Sequence, residues 1–269
     1  MAEIRYQLQG NAPQRYERNN VPRLLRPQAE AMLDQVSLNA GDRVLDVACG
    51  TGIVTRVAAE RHHHLASIVG LDFNAGMLEV AKASTPSTDI PIDWQQGDMC
   101  NLPFPDDSFD VVLSQQGIQF APDKLEALSH IRRVLVSGGR LAFTIWSEPN
   151  PLNAASADAA RRHVHDEAAT DIQSACDWSD PNVIRELVDE AGFQAIEMAI
   201  IESPMRWPSA VNEIADYVDV SAARSPFTQE ITEARTVIIK EIRVALEPYL
   251  EGDEFVMPAR SHLVQARTM

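Results

Sequence analysis

The chain has 269 residues, of which 45% are hydrophobic and 23% charged, a composition typical of a globular protein with a well-buried core. Asp and Glu number 39 against 23 Lys and Arg, and the resulting net charge of −16 repels a phosphate backbone, so we expect no nucleic acid partner. No apolar run approaches the roughly 20 residues that cross a bilayer, and we find no secretion signal, so we expect a cytoplasmic protein without a membrane partner.

Strand-like and helix-like segments alternate along most of the chain. Residues 43–47 have the apolar character of a buried strand, and the apolar positions that follow recur at helical spacing. Asn74 and Asp180 are typical helix caps that precede later amphipathic segments. The predicted strands are 43–47, 67–71, 92–96, 110–114, 140–146 and 194–202, and the tail from 255 to 266 is predicted as a final strand or hairpin. This alternation predicts an α/β fold with a mostly parallel sheet and helices on both faces.

Two stretches interrupt the alternation and are predicted to be helical cap insertions, at 147–178 and 203–252. Residues 1–40 are predicted to form an N-terminal helical cap segment. The core is then expected to comprise 41–202, interrupted by the first insertion, and 253–269. We expect the caps to cover a site, whereas the alternative is that the longer insertion forms a homodimer interface.

The first predicted strand leads through the sequence VLDVACGTG into a helix, and a glycine turn at this point commonly binds a phosphate. Here GTGIVT places Thr55 where a dinucleotide-binding motif has its third glycine, and no GK[ST] follows. Ligands of open α/β sheets bind at the carboxyl ends of the strands, where this chain has Asp46, Asp72 and Asp98 but few cations. That arrangement favours a ligand with an ammonium group, a ribose and an adenine, and without phosphates.

Four blocks of the sequence carry a resemblance to a known family: VLDVACGTG, VGLDFNAGMLEVA, QGDMCNLPFPDDSFDVVLSQQGIQF and IRRVLVSGGRLAFTIW. Their order and spacing resemble the class I S-adenosylmethionine-dependent methyltransferases, in particular the ubiquinone and menaquinone biosynthesis branch (methyltransferase type 11). The resemblance covers residues 40–147, and more weakly 180–202. It implies a Rossmann-like sheet of seven strands with the last one antiparallel, S-adenosyl-L-methionine as cofactor, and O-, N- or C-methylation of a small molecule.

The resemblance also implies which residues bind the cofactor. Asp72 would accept hydrogen bonds from both ribose hydroxyls, and Asp98 would accept one from the amino group of the adenine. Residues of the glycine turn would line the methionine moiety, and the end of the fourth strand would lie under the donor methyl. The implied set is Asp46, Ala48, Gly50, Gly52, Asp72, Phe73, Met77, Gly97, Asp98, Met99, Ser114 and Gln115.

The acceptor side is predicted from position alone, near the ends of the fourth and fifth strands and in the N-terminal cap. The predicted pocket residues are Tyr16, Gln119, Phe120 and Trp146. We expect mostly apolar and amide walls, and an uncharged or modestly polar acceptor. If that acceptor is a hydroxyl compound, His163 and His165 in the first insertion are candidate general bases, with a surface role as the alternative.

No metal site or disulfide is predicted. The HHH run at 62–64 consists of consecutive residues, which point about 100° apart on a helix, and the three cysteines show no paired spacing. Two other function classes stay open. A non-catalytic S-adenosylmethionine-binding protein would have the same motifs, since they concern the cofactor and not the chemistry. A nicotinamide-dependent oxidoreductase would share the turn and the spacing to Asp72, but the third glycine is missing.

Overall fold

A sheet of eight strands organises the part of the chain that the computed structural model describes, residues 8–223 and 225–269. The first seven residues of the predicted N-terminal cap, and residue 224 of the second predicted insertion, lie outside this part. The strands are β1 (Arg43–Val47), β2 (Ser67–Asp72), β3 (Ile92–Gln96), β4 (Phe109–Gln115), β5 (Leu135–Trp146), β6 (Gln194–Pro208), β7 (Leu250–Glu251) and β8 (Glu254–Arg267).

The strand order is β3-β2-β1-β4-β5-β8-β6, and β7 pairs with β8 at the margin. Strands β1 to β5 are parallel to one another, whereas β8 runs antiparallel between β5 and β6. The predicted Rossmann-like sheet of seven strands with an antiparallel last strand is therefore confirmed, and the two-residue β7 adds to it. The strand order reverses between β2 and β4 on either side of β1, which creates the crevice where such sheets bind ligands.

Helices cover both faces of the sheet, as predicted. They are α1 (Ala12–Asn20), α2 (Arg26–Leu33), α3 (Ile53–Arg61), α4 (Ala75–Ser84), α5 (Lys124–Val134), α6 (Pro151–His163), α7 (Asp166–Gln173), α8 (Pro181–Glu190), α9 (Val211–Ala222), α10 (Thr228–Glu233) and α11 (Arg235–Leu246). One apolar core includes Met32 and Val57, and a second includes Ile131 and Val188. Within the described residues, no helix has the length and apolar character needed to cross a bilayer.

Strand β6 is longer than predicted, because it continues past residue 202 as far as Pro208. Its added residues pair with β8 up to Pro208 opposite Glu254. Burial alternates along this extension, with Ser203, Met205 and Trp207 facing inwards. The first six residues of the predicted insertion at 203–252 therefore extend the sheet. The buried side of the extension includes the polar Ser203 and the exposed side includes Pro204, so the sequence lacks the polar–apolar alternation that indicates a strand with one buried face.

The N-terminal segment packs against the second insertion. A one-turn π-helical segment, Val21–Leu25, joins α1 to α2. On α1, Arg15 forms ion pairs with Asp216 and Asp219 of α9, at 2.9 Å from the Asp219 carboxylate. Asp219 is also paired with Arg235 at the start of α11. These charged contacts connect three helices that come from distant parts of the sequence.

Candidate functional site

A cavity of about 210 Å³ lies at the carboxyl ends of the parallel strands. Its floor is formed by residues at or just after the ends of β1 to β5, and its upper walls come from α1, α6 and α9. The floor includes Asp46, Ala48, Asp72, Gly97, Asp98, Met99, Gln115, Gln116 and Trp146, and the walls include Tyr16, Asn20, Asn153 and Tyr217. The cavity therefore occupies the crevice that the strand order creates.

The turn from β1 into α3 has an unusual backbone. Ala48, Gly50 and Gly52 have φ values of 54°, 57° and 82°, in the left-handed region that favours glycine. At Gly50 a side chain would approach Met77 Cε, whereas at Gly52 a Cβ would overlap with the ring of Trp94. Ala48 and Gly50 line the cavity, but Gly52 does not. The second glycine is thus required by packing against Trp94 rather than by exposure to a ligand.

Asp46 is buried at the base of this turn and lines the cavity. Its Oδ2 accepts hydrogen bonds from the backbone N (3.2 Å) and the hydroxyl (2.8 Å) of Thr55, while its Oδ1 has no partner. Thr55 thus explains the missing third glycine, because its side chain holds the carboxyl group. Burial raises the pKa of Asp46 to about 7, with the nearby Asp72 adding to the rise and the Thr55 hydrogen bonds opposing it. A bound cation would supply the partner that Oδ1 lacks.

Asp72 connects the ends of β2 and β1. Its Oδ2 accepts a hydrogen bond from the backbone N of Gly50, and its Oδ1 accepts one from the backbone N of Asn74, both at 2.8 Å. Asn74 in turn caps α4. Burial raises the pKa of Asp72 above its ordinary value, and the two backbone donors act in the opposite direction. Because each carboxylate oxygen uses one acceptor position in these bonds, each keeps capacity for a hydroxyl group in the cavity.

Other predicted cofactor residues also line the cavity. Phe73 is 40% exposed there, and Met77 of α4 is a further lining residue. Asp98 lines the cavity after β3, and its Oδ1 accepts a hydrogen bond from the backbone N of Cys100 at 2.9 Å. Asp46, Asp72 and Asp98 make the cavity acidic, and the described residues that line it include no Lys, Arg or His.

Carboxamides form the other polar part of the cavity. Gln115 donates from Nε2 to the backbone O of Leu25 at 2.8 Å, and Asn153 donates from Nδ2 to the backbone O of Ile172 at 3.1 Å. Gln116 donates from Nε2 to Ser261 Oγ at 2.8 Å. The carbonyl oxygen of each of these three side chains is buried and has no partner. Residues with unpaired carboxamide oxygens therefore line this side of the cavity too.

Several predicted site residues are not among those that line the cavity. Ser114 and Gln119 are buried close by but, like Gly52, they do not line the cavity. His163 lies 2.7 Å from Glu241 through its Nε2, and His165 caps α7 with its ring edge-on to Phe227. Neither imidazole lines the cavity. The predicted pocket residues Tyr16, Phe120 and Trp146 do line it.

Some lining residues were not predicted: Asn20, Thr51, Gln116, Asn153 and Tyr217. Thr51 lies within the glycine turn, so its position in the motif was a usable signal, and its hydroxyl is buried without a partner. Asn153 and Tyr217 come from the two inserted helical regions. Their approach to the cavity depends on tertiary packing, for which the local sequence holds no signal.

Comparison with known proteins gives matches centred on the same region. Residues 45–143 match the methyltransferase domain family. Over 142 residues the chain is 36% identical to a demethylmenaquinone methyltransferase of Staphylococcus epidermidis, which covers 52% of this chain and 58% of that protein. It is 37% identical over 111 residues to a 2-phytyl-1,4-naphthoquinone methyltransferase of Synechococcus elongatus, covering 40% and 48%. The chain spans about half the length of the curated relatives it matches.

Among solved structures, the fold is similar to that of phosphoethanolamine N-methyltransferase 2 of Haemonchus contortus, determined in complex with S-adenosyl-L-methionine. The TM-score is 0.56 at 22% sequence identity, and the superposition covers 90% of this chain and 52% of that one. At this level of identity, the similarity extends to the fold alone.

Proposed function

We propose that this chain, whose residues 45–143 match the methyltransferase domain family, is a class I S-adenosylmethionine-dependent methyltransferase that transfers the methyl group of S-adenosyl-L-methionine to a neutral small molecule. The observation that carries this proposal is the acidic cavity at the strand ends, which contains Asp46, Asp72 and Asp98 without a cationic side chain among its described lining residues. Such a cavity disfavours the phosphates of NAD or ATP and suits a cofactor that has an ammonium group and a ribose.

The residues present fit this cofactor. Asp46 Oδ1 and the Thr51 hydroxyl are buried without partners where a ligand ammonium group would supply hydrogen-bond donors. Asp72 has free acceptor capacity at both carboxylate oxygens for a pair of ribose hydroxyls. Gly50 keeps the turn free of a side chain at the cavity wall. We assign the amino acid part of the cofactor to the β1–α3 turn and the ribose to the end of β2.

When bound, the cofactor would supply an electrophilic methyl group, and its sulfur would keep the electron pair of the broken bond. The chain has to align the two reactants and exclude water. Helices α1, α6 and α9 contribute side chains above the strand ends and so cover this part of the sheet. Since His163 and His165 do not line the cavity, we propose that positioning supplies most of the rate acceleration and that neither imidazole acts as a base.

The acceptor is an uncharged or modestly polar small molecule. Aromatic and amide side chains line its part of the cavity, among them Phe120, Trp146 and Asn153. The relatives named above are methyltransferases of quinone biosynthesis, which makes naphthalene-based compounds the first acceptors to test. A cytoplasmic location remains a prediction, and so does a homodimer formed through the second insertion.

Two measurements test the proposal. Calorimetric titration of the purified protein with S-adenosylmethionine, S-adenosylhomocysteine and NAD should show binding of the first two and none of the third. Incubation with methyl-labelled S-adenosylmethionine and fractions of a small-molecule extract should then transfer label to a compound of low molecular mass. Preferential binding of NAD would indicate an oxidoreductase. Cofactor binding without transfer to any fraction would indicate a non-catalytic binding protein.

A further inference from the structure

Gln116 follows β4 at the cavity floor and is held by a chain of buried hydrogen bonds. Its Nε2 donates to Ser261 Oγ, whose hydroxyl donates to Gln28 Oε1 at 3.0 Å. Gln28 Nε2 donates to Ser203 Oγ at 2.9 Å and to the backbone O of Ala259 at 2.7 Å. Gln28 and Ser261 are fully buried. This series of hydrogen bonds therefore connects α2, through the buried Ser261 of β8, to the cavity.

The donor and acceptor of every hydrogen bond in this series follow from the bond to the backbone O of Ala259. A backbone carbonyl only accepts, so the atom of Gln28 next to Ala259 has to be the amide nitrogen. The oxygen of Gln28 then accepts the proton of the Ser261 hydroxyl, which leaves the Ser261 oxygen to accept from Gln116. The side-chain nitrogen of Gln116 therefore donates to Ser261. Its carbonyl oxygen is therefore the group without a partner, in a residue that lines the cavity.

The same reasoning applies to the two neighbouring carboxamides. Gln115 and Asn153 each direct their nitrogen to a backbone carbonyl, those of Leu25 and Ile172, so that their oxygens too are left without partners. Gln116 also has a φ of 53°, in a region that non-glycine residues seldom adopt. Strain of this kind persists where the surrounding structure requires it, and it concentrates at functional sites. The hydrogen bonds of their nitrogens thus orient the carbonyl oxygens of Gln115, Gln116 and Asn153.

We propose that the oxygens of Gln115, Gln116 and Asn153 form the acceptor-recognition set, which selects neutral, flat compounds with hydroxyl or amino donors, and that Gln116 is the main specificity-determining residue. This inference rests on the proposed function and defines its substrate class. A buried acceptor left unpaired is costly, so a compound without donors loses affinity. A carboxylate or phosphate on the compound would meet acidic walls that have no cationic side chain among their described residues. Phe120 and Trp146 supply aromatic walls for a flat ring.

The test uses three probes that share one ring system. Protein saturated with S-adenosylhomocysteine is titrated calorimetrically, without oxygen, with 1,4-dihydroxynaphthalene, 1,4-dimethoxynaphthalene and 1,4-dihydroxy-2-naphthoate. We expect the dihydroxy compound to bind at least about tenfold more tightly than the dimethoxy compound, the scale of one unmet buried hydrogen bond. The carboxylate should bind more weakly than the neutral dihydroxy compound.

Variants identify the residue responsible. Gln116→Met, which keeps the side-chain length but removes the acceptor, should reduce the preference for the dihydroxy over the dimethoxy compound to less than about threefold. Gln28→Met, whose side chain does not line the cavity, should reduce the preference partly by releasing the chain that orients Gln116. Gln194→Met, at an exposed position of β6, is the matched control and should leave the preference unchanged.

The outcomes separate this inference from the proposed function. A purely structural defect would weaken all probes equally and leave their ratio unchanged, so the ratio is the decisive quantity. If S-adenosylhomocysteine binds but the dimethoxy compound binds as tightly as the dihydroxy compound, or neither binds, acceptor recognition by the three carboxamides is wrong while the cofactor assignment stands. If S-adenosylhomocysteine itself does not bind, the proposed function has failed.

Discussion

Asp46 is an acid whose protonation in the folded protein differs from that in the unfolded chain. Its ordinary pKa is 3.8, and burial raises it to about 7. Between these values the folded state binds more protons than the unfolded state, so this residue lowers the free energy of unfolding as the pH rises from about 4 to about 7. We expect Asp46→Asn, which keeps an acceptor for Thr55, to remove this dependence. Urea unfolding of both proteins across that pH range measures the difference.

The contribution of Asp46 is the difference between the two stability curves, since the other titrating groups are common to both proteins. Relative to Asp46→Asn, the unsubstituted chain should lose stability steadily up to about pH 7 and then keep a constant difference. Two curves that run parallel from pH 4 to pH 8 would show that folding does not raise the pKa of the Asp46 carboxyl group.

Asp72 is expected to contribute directly to cofactor affinity. Asp72→Ala removes two acceptor oxygens that each keep capacity for a ribose hydroxyl, and it should weaken S-adenosylmethionine binding by about 1.5–3 kcal/mol, the range for hydrogen bonds to a charged group. Calorimetric titration measures this, with Asp89→Ala, at an exposed position, as the control. An unchanged affinity in a folded Asp72→Ala protein would place the ribose elsewhere.

For individual residues, the sequence predicted the site correctly where a residue belongs to a local motif. Asp46, Gly50 and Asp72 were predicted from their positions at strand ends, and all three line the cavity. Gln116 was not predicted, because its importance comes from a chain of bonds to Ser261 and Gln28, which are far away in the sequence. A single amide side chain has no spacing by which such a connection could be detected.

The β1–α3 turn depends on a contact with a distant strand. At Gly52 the φ is 82° and a Cβ would overlap with the ring of Trp94 on β3. Gly52→Ala should therefore combine left-handed backbone strain with steric overlap, and we expect it to reduce the free energy of unfolding by about 1–3 kcal/mol more than backbone strain alone. Denaturant unfolding of the variant gives this number.

Gly138 provides the matched control for that comparison. Its φ of 70° is similar, but nothing lies within 4 Å of a Cβ added there, so Gly138→Ala reports backbone strain without overlap. Replacing Trp94 by Leu should recover part of the extra cost of Gly52→Ala. Equal costs for the two glycine variants would mean that Trp94 moves aside freely and that the turn does not depend on it.

Strands and helices with a regular apolar pattern were predicted well. Strand segments that form only by pairing with a distant strand were predicted less well. The parallel strands and their helices were visible as apolar periodicity. The end of β6 was placed too early, because residues 203–208 are strand only through their pairing with β8. The two-residue β7 is too short to produce any periodic signal.

At the scale of the whole molecule, the cavity depends on helices from distant parts of the chain. Tyr16 and Asn20 of α1, Asn153 of α6 and Tyr217 of α9 line it above the sheet. The predicted regions 1–40, 147–178 and 203–252 thus each supply part of the cavity wall. Their division from the core as separate structural units stays a prediction. Arg15 holds α1 to α9 by its ion pairs with Asp216 and Asp219.

Ligand binding should therefore stabilise this cover. We expect the backbone amides of α1 and α9 to exchange hydrogen more slowly when S-adenosylhomocysteine and 1,4-dihydroxynaphthalene are bound together than in the free protein, because a filled cavity opposes separation of the two helices. Hydrogen exchange followed by mass spectrometry measures this. Amides of α8, no residue of which lines the cavity, are the internal reference.

Arg15→Met removes the two ion pairs that Arg15 forms with α9 and should reduce the ligand-induced protection of α1 and α9. Arg18→Met is the matched control on the same helix, since the Arg18 side chain is 65% exposed and exposed ion pairs contribute little. Tyr16→Ala adds a test of the wall itself, because loss of its ring should weaken binding of the dihydroxynaphthalene probe. If α1 and α9 exchange identically with and without ligands, and Tyr16→Ala binds the probe normally, the helices do not close over the site and the acceptor enters an open cleft.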